Sequence, residues 1–330
     1  MWYNEEGKDY DVVISTRIRF ARNIKDYKFP NIMTSEQKIK VINLIDKSID
    51  KKEFKMLKMS DIDDVTQESL KEKHLISKEF IGNSNGAIIT NQDNSIVAMI
   101  NEEDHLRIQS FGAGFCAKKC YDKLNKFTND LNKNIEYAEN EKYGYITSCP
   151  TNVGSGMRVS VMLHLPALGK LGLLNKLFAQ ATDIGMSVRG MYGENTVGSG
   201  YIYQISNQRT LGTSDENIIS NIEAVITTII EQERKARSVL RGSSYSTEDE
   251  IYRAYGILKY SRLIEINEAL NLLSKIRLGV SMGIINEVKL EDISNLMIDV
   301  QKNSLELKLK EKIDEEEDYK RAEYIRKVMN

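Results

Sequence analysis

Residues 101 to 107, Asn-Glu-Glu-Asp-His-Leu-Arg, gather three adjacent carboxylates, one imidazole and one guanidinium into seven positions. A stack of like charges raises the pKa of at least one member unless cations offset it. That is the arrangement expected where a carboxylate accepts or steers a proton. A solvated acidic turn is the plainer alternative. The heptapeptide follows Ser95 to Ile100, a short apolar run bounded by Asp93-Asn94, so a buried strand should deliver it to its own end.

Further motifs carry complementary chemistry. Ser15-Thr-Arg-Ile-Arg-Phe-Ala-Arg22 continues an apolar run, and Arg17 and Arg19 project to one side if the strand continues through them. Two forked guanidinia on one face suit phosphate oxygens, although a single Arg-x-Arg pair is usually only surface charge. Thr147-Ser-Cys-Pro-Thr-Asn-Val-Gly-Ser-Gly-Met-Arg158 reads as a Gly-x-Gly turn opening a helix with an arginine in its first turn, an anion cradle. Positive charge there should lower the pKa of the Cys149 thiol and make it the fastest of the three cysteines to alkylate; a small buried cysteine beside a tight turn is the alternative. Ser187-Val-Arg-Gly-Met-Tyr-Gly-Glu194 is a glycine-hinged loop able to close over a substrate, or a simple surface turn. His74 either touches a nucleotide or caps local structure. No Walker A sequence occurs, because Gly169-Lys170 lacks the upstream glycine and the following Ser or Thr. Gly112 to Ala117 matches a G-x-G-x-x-A dinucleotide pattern, but the acidic partner it needs, Asp130, falls inside a helix-like stretch.

The elements that must position these groups are short. Strand-like runs lie at Asp11 to Ile14, Gly86 to Thr90, Ser95 to Ile100, Tyr143 to Thr147 and Tyr201 to Ile205. Helix-like stretches lie at Ser35 to Asp50, Lys118 to Asn132, Met157 to His164 and Leu168 to Thr182. This is an α/β or α+β unit. From Asp215 onward glycine becomes sparse and apolar residues recur at helical spacing, with Ile218, Ile219, Ile222, Val225, Ile226 and Ile229 on one face. Leu263, Ile266, Leu270, Leu273 and Ile276 form a second face; both faces serve either dimerisation or regulation, or an ordinary helical core. The stretch Arg241 to Thr247 reads as a linker with Ser246 or Thr247 capping the next helix, which sets a boundary near residue 240.

Composition excludes several classes. The 330 residues are 28% charged with a net charge of −2, so no global field draws the chain to nucleic acid or anionic lipid. Three cysteines, Cys116, Cys120 and Cys149, contain no CxxC pair, which argues against a disulfide framework or a four-cysteine zinc site. The N-terminus lacks an apolar signal core and no run approaches the ~18 apolar residues of a membrane span, so a soluble, cytoplasmic protein is expected.

Taken in order, Ser-x-Arg-x-Arg, Asn-Glu-Glu-Asp-His-x-Arg, Ser-Cys-Pro-Thr with Gly-x-Gly-x-Arg, Arg-Gly-x-x-Gly-Glu and Gln-Ile-Ser-Asn resemble the ATP:guanidino phosphotransferases, the phosphagen kinase family. The match is strong over residues 11 to about 212. A catalytic domain without the small helical domain that precedes it in creatine and arginine kinases, and with a helical C-terminal third, looks like the bacterial branch that phosphorylates arginine side chains of proteins. The resemblance implies an α+β fold, an antiparallel sheet flanked by helices over residues 1–240, and a helical domain over 241–330 for dimerisation and phosphoarginine docking. It implies catalytic roles for Glu103, Cys149 and Glu194. ATP would be held by Ser15, Thr16, Arg17, Ile18, Arg19, His74, Arg107, Arg158, Val159, Ser160, Val161, Met162, Arg189, Gly190, Met191, Tyr192, Gly193 and Glu194. Mg²⁺ would come with ATP, without direct protein ligands. An allosteric phosphoarginine pocket would fall on Glu317, Asp318, Arg321 and Ala322. The implied setting is a homodimer in the stress response, acting on exposed arginines of proteins marked for proteolysis, with a zinc-binding activator protein and a Clp-type protease as partners. Two departures stand out: Val197 occupies the place of a further glutamate in arginine kinases, and Glu317 stands where the branch has an arginine. A small-molecule guanidino kinase and a catalytically weak, nucleotide-binding adaptor are the rival readings.

Overall fold

Period-two alternation builds the centre of the fold. In β1 (Val13–Arg22) Ile18 and Phe20 are buried, while Arg17 and Arg19, which alternate with them, are part-exposed on the other face. The computed structural model describes residues 6–190, 199–243 and 245–330. Its other strands are β2 (Phe54–Lys58), β3 (Ala87–Asn91), β4 (Ile96–Ile100), β5 (Leu106–Ala113), the short pair β6 (Glu139–Asn140) and β7 (Gly144–Tyr145), then β8 (Met157–His164), β9 (Met186–Gly190) and β10 (Ile202–Asn207). Eight of them form one antiparallel sheet in the order β2-β3-β4-β5-β1-β8-β10-β9.

Helices cover one face of the sheet, and over β3 to β5 the other face is buried as well, with Leu70 and Ile298 packed against it. The helices are α1 (Ser35–Ser48), α2 (Asp64–Glu72), α3 (Ala117–Asn132), α4 (Pro166–Lys170), α5 (Leu174–Asp183) and α6 (Asp215–Ser243), followed by α7 (Tyr245–Tyr260), α8 (Ile266–Ser281), α9 (Leu290–Asp299), α10 (Lys302–Leu309) and α11 (Glu317–Met329). The start of α1 is set by a reciprocal capping box between Thr34 and Gln37. Among the described residues no helix is long and apolar enough to cross a membrane.

Three expectations are corrected. Met157 to His164 is a strand, not a helix: Met157, Val159, Val161 and Leu163 alternate with Arg158, Ser160 and Met162, and the β-branched valines favour the pleat. The helix expected over Leu168 to Thr182 is two helices, separated at Gly172, whose φ of 71° suits glycine. Arg241 to Thr247 is not an extended linker, since α6 runs to Ser243 and α7 begins at Tyr245 with Ser246 and Thr247 inside it. The apolar faces of α6 and α8 are largely buried within the chain's own core, with Leu263 left outside it.

A buried polar network ties the helical third to the sheet. Arg277 of α8, fully buried, donates to the backbone oxygens of Tyr10 at 2.6 Å and Asp11 at 3.0 Å, and lies 3.3 Å from His164 Nδ1 at the end of β8. His164 Nε2 meets Ser274 Oγ at 2.8 Å. Burial, with Arg277 and Arg237 beside it, holds the His164 pKa well below the usual 6.5, and burial brings His105 to about 4.

Both rings stay neutral in the folded chain but take up protons in the unfolded chain below about pH 6.5. Stability contributed by their neutrality is therefore present above that pH and lost as pH falls toward 4, by up to ~1.4 kcal/mol per unit for each ring. Urea unfolding at about pH 7 and about pH 5 should show a lower midpoint at the acid pH. A midpoint that does not move would contradict the neutral burial of these rings.

Candidate active site

The sheet places the charged side chains by register. Arg19 on β1 pairs with Arg158 on β8, Arg17 pairs with Ser160, and Gln204 on β10 pairs with both Met162 and Arg189. Ser15, Arg17, Arg19, Ser160, Met162, Gln204, Arg189 and Gly190, with His74 and Phe111, line one cavity of about 270 Å³. Thr16, Ile18, Val159 and Val161 sit at the alternate positions and are buried on the opposite face, so only their backbones border the pocket strands. Met191, Tyr192, Gly193, Glu194 and Val197 lie outside the described residues.

The cavity is short of negative charge. Burial, then Arg107 and Arg158, pulls the Arg17 pKa down to about 10. Arg19 is driven well below its usual value by burial and by Arg17, Arg107 and Arg158. Arg158 is lowered by burial, Arg189 and Arg107, with Cys149 opposing. His74 is brought to about 4 by burial and Arg17, so its ring is neutral. Arg17 Nη2 donates to Gln204 Oε1 at 2.9 Å, but Arg19 Nε and Ser160 Oγ are buried without a protein partner. Buried donors without acceptors beside mutually repelling cations fit a polyphosphate.

The acidic heptapeptide divides its labour. Glu102 accepts from Arg107 Nη1 at 2.5 Å and from Ser77 Oγ at 2.6 Å, so it pairs with Arg107. Asp104 is 2% exposed and accepts from Asn23 Nδ2 at 2.6 Å and from the backbone N–H of Ser148 at 2.7 Å. Its carboxyl is raised by burial, with those two donors opposing. His105 is structural: Nδ1 accepts from Ile24 N at 3.0 Å and Nε2 faces Lys28 O at 2.9 Å. Glu103 alone is exposed, and its pKa is raised by partial desolvation, Asp104 and Glu102, against Arg107 and a hydrogen bond from Cys149. A carboxylate with raised proton affinity, a thiol in contact with it and a cation cluster thus share one end of the sheet.

Cys149 precedes the 3-10 turn Pro150–Asn152, and its Sγ lies 3.0 Å from Thr151 Oγ1. The expected helix after this turn is β8, so Arg158 projects from a strand instead of a helix N-terminus. Sequence reasoning assigned no role to Gln204, Ser77, Asn23 or Asp104. Gln204 stood in the Gln-Ile-Ser-Asn motif, and alternation along β10 could have placed it on the pocket face; Asn23 and Ser77 left no local signal. Elsewhere in the fold, the Cys116 pKa is lowered to about 7, chiefly by hydrogen bonding to Cys120.

Residues 36–236 match the family model described as ATP:guanido phosphotransferase, C-terminal catalytic domain, and residues 244–330 match that of the protein-arginine kinase McsB C-terminal domain. The chain is 41% identical to a protein-arginine kinase of Clostridium acetobutylicum, over 98% of each chain. It is also 41% identical to one from Bacillus cereus, over 98% of this chain and 94% of that one. Among solved structures, the duplicated taurocyamine kinase from Schistosoma mansoni with bound transition state analog components aligns with a TM-score of 0.61 and 28% identity. That alignment covers 68% of this chain and only 33% of the duplicated enzyme. Lombricine kinase aligns with a TM-score of 0.62 over 73% of this chain and 70% of that one, at 23% identity, a likeness of fold.

Asp104 holds the turn that carries Cys149 to the strand end that carries Glu103. Asp104→Ala leaves two donors without their acceptor, at a cost of about 1–3 kcal/mol each where buried. Hydrogen exchange at the Ser148 amide should accelerate in this variant by more than at β1 amides. Equal protection in both proteins would show that the contact does not hold the turn.

Proposed function

Because this chain belongs to the ATP:guanido phosphotransferases, we propose that its cationic cavity holds the triphosphate of ATP and that Glu103 and Cys149 receive the guanidinium of an arginine side chain. The enzyme is an ATP-dependent protein-arginine kinase. The observation that carries the site assignment is the group of arginines in which Arg19 Nε and the Ser160 hydroxyl are buried without protein partners, with the exposed carboxylate Glu103, its pKa raised, near Arg107.

In the reaction, an arginine side-chain nitrogen attacks the γ-phosphorus of ATP, the N–P bond forms, the bond to the β-γ bridging oxygen breaks, and ADP leaves. Charge on the transferring group is spread over its oxygens, so fixed cations are the main demand on the protein. Arg17, Arg19, Arg158 and Arg189 meet it from the sheet, while Arg107 is shared with Glu102. Mg²⁺ would accompany the phosphate oxygens and neutralise part of their charge. The acceptor is a poor nucleophile, since its lone pair is delocalised and its pKa exceeds ~12. Glu103, with its raised proton affinity, orients it and takes its proton; Cys149, bonded to Glu103, fixes the other edge. Glu194 is the second carboxylate in this reading. With valine at 197, guanidinium clamping rests on Glu103 and Glu194.

Finer assignments follow from the resemblance. Residues 1–240 form the catalytic unit and 241–330 the helical unit; cytoplasmic location, a homodimer, a zinc-binding activator, a Clp-type protease and marking of stress-damaged proteins for proteolysis belong to the same proposal. Incubation with MgATP and a model protein, followed by mass spectrometry for phosphoarginine, tests the activity. Product on free arginine but not on protein would favour the small-molecule kinase.

The same proposal treats Glu317, Asp318, Arg321 and Ala322 as a weakened phosphoarginine pocket. Arg321 is fully buried and donates to the backbone oxygens of Ile264 and Val300, each at 2.9 Å, to Asp318 at 2.6 Å and to Glu317. Its guanidinium is already surrounded by acceptors of this chain, two of them carboxylates.

Glu103→Gln should leave ATP affinity nearly unchanged and remove most turnover, whereas Arg158→Ala should weaken both, nucleotide binding by about 1.5–3 kcal/mol. Isothermal titration beside steady-state rates separates the two; equal effects on binding and rate from Glu103→Gln would move that residue to the nucleotide site. Added phosphoarginine should activate the unmodified enzyme little, and Glu317→Arg should strengthen the response. Strong activation of the unmodified protein at low concentrations would overturn the reading that Glu317 weakens the pocket.

A further inference from the structure

On the far side of β1 from the cationic cavity, two thiols meet. Cys116 Sγ lies 3.6 Å from Cys120 Sγ at the start of α3. Cys120 N donates to Cys116 O at 3.0 Å, so the residues are separated by one helical turn. Four residues of helix rise ~6 Å along the axis, and bridged cysteines have Cα atoms about 4.4–6.8 Å apart. Cys116 precedes the helix with φ −144° and ψ 43°, which leaves its side chain off the helical trace.

The surroundings are shaped to this pair. A Cβ on Gly112 would stand 2.4 Å from Cys116 Sγ and 3.3 Å from Cys120 Sγ, so glycine there makes room for both sulfurs. Cys116 is half-buried and borders a separate cavity of about 270 Å³ with Lys119 and Lys123, while Cys120 is 1% exposed. The Cys116 thiol is lowered to about 7 by hydrogen bonding to Cys120 and Thr16 and by the two lysines, against its burial. Cys120 is pushed the other way, first by Cys116 and then by burial. One thiol is therefore accessible and ionised near neutrality, and the other is protected and in contact with it.

We propose that Cys116 and Cys120 form a hydroperoxide-reactive thiol pair that closes to a disulfide across the first turn of α3. The Cys116 thiolate attacks the distal oxygen of a hydroperoxide: an S–O bond forms, the O–O bond breaks, and the alcohol or water leaves with a proton. Cys116 is then a sulfenic acid, oxidised by two electrons. Cys120 sulfur attacks that sulfur, the S–S bond forms, the S–O bond breaks, and water leaves with the Cys120 proton. The net change is two thiols and one hydroperoxide to a disulfide, an alcohol or water, and water. The sulfurs approach from 3.6 Å to about 2.05 Å, which rotation of the Cys116 side chain can supply.

The test uses the full chain with hydrogen peroxide near pH 7, thiol blocking with N-ethylmaleimide, and non-reducing tryptic mapping. Cleavage after Arg107, Lys118, Lys119 and Lys123 puts the sulfurs on separate peptides, 108–118 and 120–123. The expected product is these two peptides joined and released by dithiothreitol, with the Cys149 peptide recovered as its maleimide adduct. In Cys120→Ser the same treatment should instead leave Cys116 as a sulfenic acid captured by dimedone. Recovery of both peptides maleimide-labelled after peroxide has been consumed, or joining of Cys116 to Cys149, would overturn the proposal.

Discussion

Repulsion among like charges on one face of a β-sheet is the constraint around which this protein is arranged. Arg17, Arg19, Arg158 and Arg189 project from neighbouring strands into a space where Glu102 forms its ion pair with Arg107 and only weakly offsets Arg19. Holding guanidinia together in a partly desolvated place is unfavourable, and the lowered proton affinities of Arg17, Arg19 and Arg158 express that cost. The fold tolerates it because Arg17, Arg19 and Arg158 belong to strands whose other face is sealed into the core by Ile18, Phe20, Val159 and Val161. In the proposed reading a polyanion entering the cavity relieves that repulsion, so free energy stored in the free protein would be returned as phosphate affinity.

Much of this was legible because strand geometry is written in period two. Arg17 and Arg19 could be assigned to one face from spacing alone, and so could Arg158, Ser160 and Met162 once the segment is read as a strand. The helical reading of Met157 to His164 failed because a short apolar run with glycines before it satisfies both patterns, and the cross-strand partners that decide it lie about 140 residues earlier in β1. The same limit hid Asp104. Beside Glu102 and Glu103 it looked like a third interchangeable carboxylate; its meaning comes from Asn23 and Ser148, which only the tertiary fold brings to it. Arg241 to Thr247 misled for the opposite reason: serine and glycine signal a break, yet α6 and α7 leave only residue 244 between them.

The helical third is joined to the catalytic sheet through buried polar contacts, not by apolar packing alone. Arg277 gathers Tyr10, Asp11 and His164, and Glu72 of α2 accepts from the backbone N–H groups of Asn303 and Ser304 at the start of α10. Such contacts are directional, so they fix how α8 and α10 sit where a greasy surface would permit sliding.

The link from Asn23 through Asp104 to Ser148 has a further consequence. One carboxylate, with no solvent around it, fastens the loop bearing Cys149 to the strand end bearing Glu103, so proton acceptor and thiol travel as a single body. If Glu103 and Cys149 receive the acceptor as proposed, groups held together in this way would contribute little reorganisation energy when the phosphoryl group moves.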